Sequence, residues 1–206
     1  MVIGIKSKLT MLQLHATRKL FEKLTLTSDG ALPVTPMSKW LYEKPSLDIN
    51  PLSGWHGHLV TLQRRNCVLM AHDSTRFPLV LPALTKPDFA ELNDRFVDTF
   101  MNTLLKCGAN EVHLETADKY LRPLQIDSDC SRSVQGTLNR MKDEFEHQLY
   151  YDRLNIADMT GYNAGAWLAD TPRSVKGQKT VLWPKDAMLT LLERLAKSPA
   201  DNQDIR

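Results

Sequence analysis

Apolar residues recur along this chain in two rhythms, a strand-like period of two up to about residue 84 and a helical spacing of three and four beyond it. Leu12 and Leu14 alternate with Gln13 and His15, which predicts a short strand. Thr17 can then cap a helix carrying Leu20, Phe21 and Leu24. Residues 25–54 hold Gly30, Pro33, Pro36, Pro45, Pro51 and Gly54, so they read as a long Pro-rich loop with one helical turn near 38–42. Trp40 and Tyr42 are its expected anchors to the body of the protein.

The stretch 55–84 is the centre of the pattern. Leu59 to Leu62 and Cys67 to Ala71 are β-forming runs separated by Arg64, Arg65 and Asn66, which fits a β-hairpin. Its turn residues are not fixed, because Asn-Gly is absent. Asp73, Ser74 and Thr75 form a second polar break. Phe77, Leu79 and Leu81 follow, but Pro78 and Pro82 cannot donate to a ladder, so this third run is an edge strand or ends early.

Helical spacing then takes over. Phe89, Leu92, Phe96, Phe100 and Leu104 mark a helix from 87 to 107, and Gly108 is placed to end it. Glu111 to Glu115 alternates and predicts another strand, and 117–130 reads as a polar connection. Val134, Leu138, Met141, Phe145 and Leu149 line a second helix over 132–150. Gly136 inside it costs about 1 kcal/mol against Ala, which suggests close packing on another backbone. After an irregular stretch, Pro184 opens a last helix through Met188, Leu191, Leu192 and Leu195.

These elements predict an α+β fold. Short turns between strands favour a mainly antiparallel sheet of four to five strands, with the helices at 87–107 and 132–150 packed on one face. The organisation read from the sequence is an N-terminal extension, 1–10, ahead of a possible start at Met11. A core domain spans 11–152, and a C-terminal extension with a terminal helix covers 153–206.

Composition changes this picture little. At 42% hydrophobic and 24% charged the chain is an ordinary globular one rather than a disordered one. Net charge is only +2, yet it is unevenly spread. Residues 55–86 carry four basic and one acidic group, and 87–152 carry seven and thirteen. A basic sheet beside acidic helices fits a nucleic-acid-facing side, or helices simply solvated by their acids. Cys67, Cys107 and Cys130 have no paired spacing, which fits reduced thiols in the cytoplasm. No apolar run approaches a membrane span.

Candidate chemistry gathers in the central stretch. His56 and His58 are two apart on a strand and so share a side. Joined by His72 or Asp73 they could hold a metal or supply a general base, although H-x-H alone is a weak motif. Without that convergence they are strand-end histidines, and no metal site or cofactor is assigned. Arg64 and Arg65 would project from the hairpin tip towards phosphate, with Arg76 and Lys86 on the same surface. Asp143, Glu144 and Glu146 read as a solvated helix face, and Cys67 as core. No P-loop, G-x-S-x-G or G-x-G-x-x-G is present.

Several pieces together resemble an uncharacterised bacterial family defined by a domain of unknown function. They are the run MLQLHATRKL from Met11, Trp55-His56 followed by Leu59 to Leu62, the run RRNCVL from Arg64, Asp73-Ser74-Thr75, and RSVQGTLN from Arg132. The resemblance covers roughly residues 11–150 and implies no catalytic residue. It does single out Arg132, Gly136 and Asn139. Arg132 and Asn139 therefore join Arg64, Arg65 and Arg76 as candidate binding residues. The first functional expectation is a non-enzymatic binding or accessory protein of a bacterial mobile-element or defence locus, contacting nucleic acid or protein through the basic hairpin. The alternatives are a small metal-dependent nuclease or hydrolase built on His56, His58, His72, Asp73 and Arg64, and an antitoxin-like inhibitor that binds protein.

Overall fold

A computed structural model of the chain describes residues 11–198 apart from 46, 48 and 175–179. The N-terminal extension read at 1–10 lies outside the described residues, as does the end of the C-terminal one. Five strands and eight helices are present among the described residues. Strand β1 (Leu12–Ala16) leads through α1 (Arg18–Phe21) and α2 (Lys39–Glu43) to β2 (Trp55–Leu62), β3 (Arg65–His72) and β4 (Pro78–Leu84). Then come α3 (Lys86–Ala90), α4 (Leu92–Lys106), α5 (Glu111–Tyr120), β5 (Leu124–Asp127) and α6 (Arg132–Tyr151). A 3-10 turn at Ile156–Asp158, α7 (Gly161–Ala169) and α8 (Pro184–Lys197) complete the fold.

The fold is α+β, and its single five-stranded sheet is mixed, in the order β4-β3-β2-β1-β5. The expected meander β2-β3-β4 is antiparallel, but β1 lies parallel to both β2 and β5. Short-turn reasoning holds only where turns are short. Residues 17–54 and the helices α3 to α5 are long enough for crossovers, and crossovers make parallel neighbours. Two further corrections concern β5 and α5. The predicted strand at 111–115 is the start of α5. Asn110 Oδ1 accepts from the His113 amide and His113 Nδ1 accepts from the Asn110 amide, a reciprocal cap. Its buried side runs through His113, Thr116, Ala117 and Tyr120, at helical spacing. The true fifth strand is Leu124–Asp127, inside the stretch read as a polar connection.

Helices cover both faces of the sheet rather than one. Strand alternation sends Trp55 and Leu59 to one side and Val60 and Leu62 to the other, so consecutive apolar residues need two layers. On the first face Trp55 meets Phe96 and Phe100 of α4 edge-on, at 5.1 and 5.5 Å between ring centres. On the second, Val134, Leu138, Met141 and Phe145 of α6 pack against Val60, Leu62, Cys67 and Leu69. The segment beyond 152 contributes to both: Met188 and Leu192 to the first core, Ile156, Ala164 and Leu168 to the second.

Helix α7 lies along β4, the edge strand that Pro78 and Pro82 foretold. Its closeness depends on glycine: a Cβ added to Gly161 would come 2.0 Å from the Val80 carbonyl oxygen. By contrast, a Cβ added to Gly136 meets nothing within 4 Å, so the expected close packing there is not its role. The Pro-rich loop is anchored as expected, with Trp40 and Tyr42 packed against the first core, Asn93 of α4 donating to the Tyr42 hydroxyl at 3.4 Å, and Leu41 and Leu52 buried. No described helix is long and apolar enough to cross a membrane.

Candidate functional site

The end of the sheet where β1 and β5 finish and β2 begins collects polar side chains on its α6 face. Pairing puts Asp127 of β5, His15 of β1 and His56 of β2 in one row across three strands. His15 Nδ1 and Asp127 Oδ1 are 2.7 Å apart. Gln13 Nε2 donates to Asp127 Oδ2 at 2.7 Å, and the Asp129 amide donates to Oδ1 at 2.9 Å. With Nδ1–H donating to the carboxylate, His15 carries its lone pair on Nε2. The His15 and His56 rings lie 4.7 Å apart. His56 is 2% exposed, and its Nδ1 has no partner among the described residues. Burial, then the neighbouring His15, lowers its pKa to about 4, so it is neutral at pH 7.

The loop between β3 and β4 closes the row from the other side. Arg76, at a left-handed φ of 56°, is buried beneath the start of α6. One guanidinium nitrogen sits 3.2 Å from Asp73 Oδ1, and the other donates to Ser133 Oγ at 3.2 Å. Burial lowers the Arg76 pKa, and the Asp73 charge opposes that shift. Cys130 Sγ lies 3.5 Å from the His15 carbonyl. Burial raises the thiol's pKa, the Gln135 side chain opposes it, and Asp127 and Asp129 reinforce it, so Cys130 is a poor nucleophile.

The predicted constellation is thus only half assembled. His56 and His58 do share a face, but His58 points to Thr17 Oγ1 at 3.4 Å. Burial lowers its pKa, helped by Lys19 and Lys142. His72 does not join them. Its register partner is Trp55, so it faces the opposite core, tilted against that indole with ring centres 5.1 Å apart. Thr75 Oγ1 and the Ser53 carbonyl occupy its two nitrogens. Asp73 serves Arg76. Among the described residues, no three His, Cys, Asp or Glu side chains are placed to hold a metal ion.

The basic surface also divides. Gln63 and Arg64 form the two-residue hairpin turn, both with positive φ. Gln63 braces the turn by donating to the Leu154 carbonyl and accepting from the Ile156 amide. Arg64 and Arg65 are exposed there, with Lys86 just beyond β4. Arg76 is at the far end of the sheet and buried, so it cannot add to that surface. Arg132 and Asn139 are both exposed on α6.

A basic recess missing from the sequence reading lies beside the first half of α6. It has a volume of about 380 Å³ and is lined by Arg132, Ser133, Gly136, Thr137, Arg140, Arg173 and Ser174. Residues 133, 136, 137 and 140 share a helix flank by their spacing. Arg173 comes from the segment after α7, held by backbone bonds with Leu182 at 2.7 and 2.8 Å. Its Nη1 meets both Glu144 carboxylate oxygens, at 2.8 and 2.7 Å. No acid stands in the first turn of α6, so the helix dipole adds to this positive charge. The polar alternation of β1 was the one local hint of His15; Asp127 and Arg173 had none.

No curated protein and no solved structure matches the chain. The sequence pattern of a family described as a domain of unknown function, DUF6933, matches residues 13–187. That span runs from β1 into the first turn of α8, taking in the histidine row and the arginine recess, and the chain belongs to this family.

Proposed function

We propose that the protein is a non-enzymatic binding module for nucleic acid, and that it grips phosphate with the N-terminal half of α6 rather than with the hairpin. The observation that carries this reading is a pair of exposed cations, Arg132 and Arg140, beside a recess walled by a third, Arg173. Arg132 and Arg140 have no ion-pair partner among the described residues, so their charge is free for a ligand. The exposed Asn139 amide adds a donor and acceptor on the same helix. Three free thiols support a cytoplasmic setting.

The test is fluorescence anisotropy of labelled single- and double-stranded DNA and RNA at about 50 and about 200 mM salt. Binding that weakens with salt, and that is lost in Arg132→Ala/Arg140→Ala but kept in Arg64→Ala/Arg65→Ala, is the expected result. Binding indifferent to the α6 pair would refute the assignment. If no nucleic acid binds at all, a protein partner becomes the leading account, with the exposed Tyr150 and Tyr151 as its first contacts.

A second reading has its own observation. The His15–Asp127 pair is the arrangement of an oriented general base, which supports a small hydrolase acting by proton transfer. Hydrolysis of phosphodiester or ester substrates abolished by His15→Ala, in protein whose thermal unfolding is unchanged, would favour it.

A further inference from the structure

We infer that the recess beside α6 is a socket for a phosphate monoester, so that the protein recognises the phosphorylated end of a strand rather than its backbone. This rests on the nucleic-acid reading for the source of the ligand, but its chemistry is read from the recess itself. Three arginines line it, Arg132, Arg140 and Arg173, and Glu144 neutralises one of them. The remaining charge of about +2 matches a monoester dianion, which carries about −1.5 to −2 at pH 7, better than the single charge of a diester.

Two of the donors, on Arg173 and Ser133, are already fixed in place. Arg173 is 2% exposed and clamped by Glu144 and by the Leu168 carbonyl at 3.3 Å, yet its Nε–H has no acceptor among the described residues. A buried donor left unsatisfied is costly, and this one belongs to a side chain that lines the recess. Ser133 Oγ accepts from Arg76, which leaves its own hydrogen to donate. The buried Arg76 thereby orients a hydroxyl on the recess wall. Gly136 completes the case. It occupies an exposed position inside a long helix, where nothing in the fold requires glycine, and a methyl group there would stand in the recess.

The experiment uses the full chain. Calorimetric titration with inorganic phosphate and with a nucleoside monophosphate is set beside anisotropy of one oligonucleotide carrying either a phosphate or a hydroxyl at its end. Phosphate should bind, and the phosphorylated oligonucleotide should bind about tenfold more tightly than its hydroxyl twin. Arg140→Ala should remove both effects. Gly136→Ala should weaken both while raising the melting temperature, which separates a filled socket from a damaged fold. Equal affinity for the two oligonucleotides, with no heat from phosphate, overturns the socket and leaves the backbone-binding proposal standing. Phosphate and monophosphate binding that depends on Arg140, with neither oligonucleotide bound, supports the socket with a small-molecule ligand and overturns the nucleic-acid reading instead.

Discussion

Acid should unfold this protein through its buried histidines, and His72 is the one that isolates the effect. As a neutral ring it has both nitrogens occupied: Nε2–H donates to the Ser53 carbonyl, and Nδ1 faces Thr75 Oγ1. Burial against Trp55 lowers its pKa to about 4 in the folded state. An unfolded histidine titrates near 6.5, so between those values the unfolded chain takes up a proton that the folded chain refuses. The stability tied to the neutral ring is therefore full above about pH 6.5 and is lost as pH falls towards 4. From about pH 7.5 to about pH 4.5 the loss from this one ring is roughly 2–3 kcal/mol. His56, also lowered to about 4, adds a similar amount. Urea unfolding at the two pH values measures the loss directly. In His72→Gln the difference between the two values should shrink by roughly 2–3 kcal/mol, although the variant is weaker at both. A variant with the same pH loss as the parent would refute the assignment of that loss to His72.

Three substitutions test the backbone reasoning by thermal or chemical unfolding. Gly136→Ala should stabilise by about 1 kcal/mol, since the site is open and helical; no gain would mean the helix is strained there. Arg64→Gly should stabilise by up to about 1 kcal/mol, because Arg64 sits at a φ of 63° that glycine adopts freely. A loss would show that the arginine side chain supports the turn. Gly161→Ala should destabilise by at least about 3 kcal/mol or displace α7, because its methyl group would overlap the Val80 carbonyl. An unchanged melting temperature would show that α7 stands further from β4.

The helices α4 and α6 were legible because their apolar residues keep helical spacing over several turns. The meander was legible because its strands are sequence neighbours. His72 shows how parity decides the rest. A two-residue turn at Gln63 and Arg64 pairs Leu62 with Arg65 and so brings His72 opposite Trp55, on the face away from His56. With the turn residues unfixed, the side that His72 takes could not be read. The row of Asp127, His15 and His56 needed two parallel pairings made through crossovers, which no local pattern reports. Alternation misled at Val112 and Leu114 because the Asn110–His113 cap, a side-chain and backbone exchange, overrides it. The recess was hidden for a related reason. Arg173 reaches α6 from an irregular segment and is fixed by Glu144, 29 positions earlier.

The placement of α7 on β4 has a consequence for how the chain matures. Every strand is complete once Asp127 has been made, but the outer edge of β4 stays bare until Ala169 is in place. A growing or shortened polypeptide that stops at Asp152 would offer that row of unpaired amides and carbonyls to any neighbouring strand. The two prolines in β4 remove donors from it, a partial safeguard during that interval. Residues 161–169 thus act as a late-arriving guard against self-association during synthesis, and a nonsense mutation just before them should yield insoluble protein rather than a smaller soluble one.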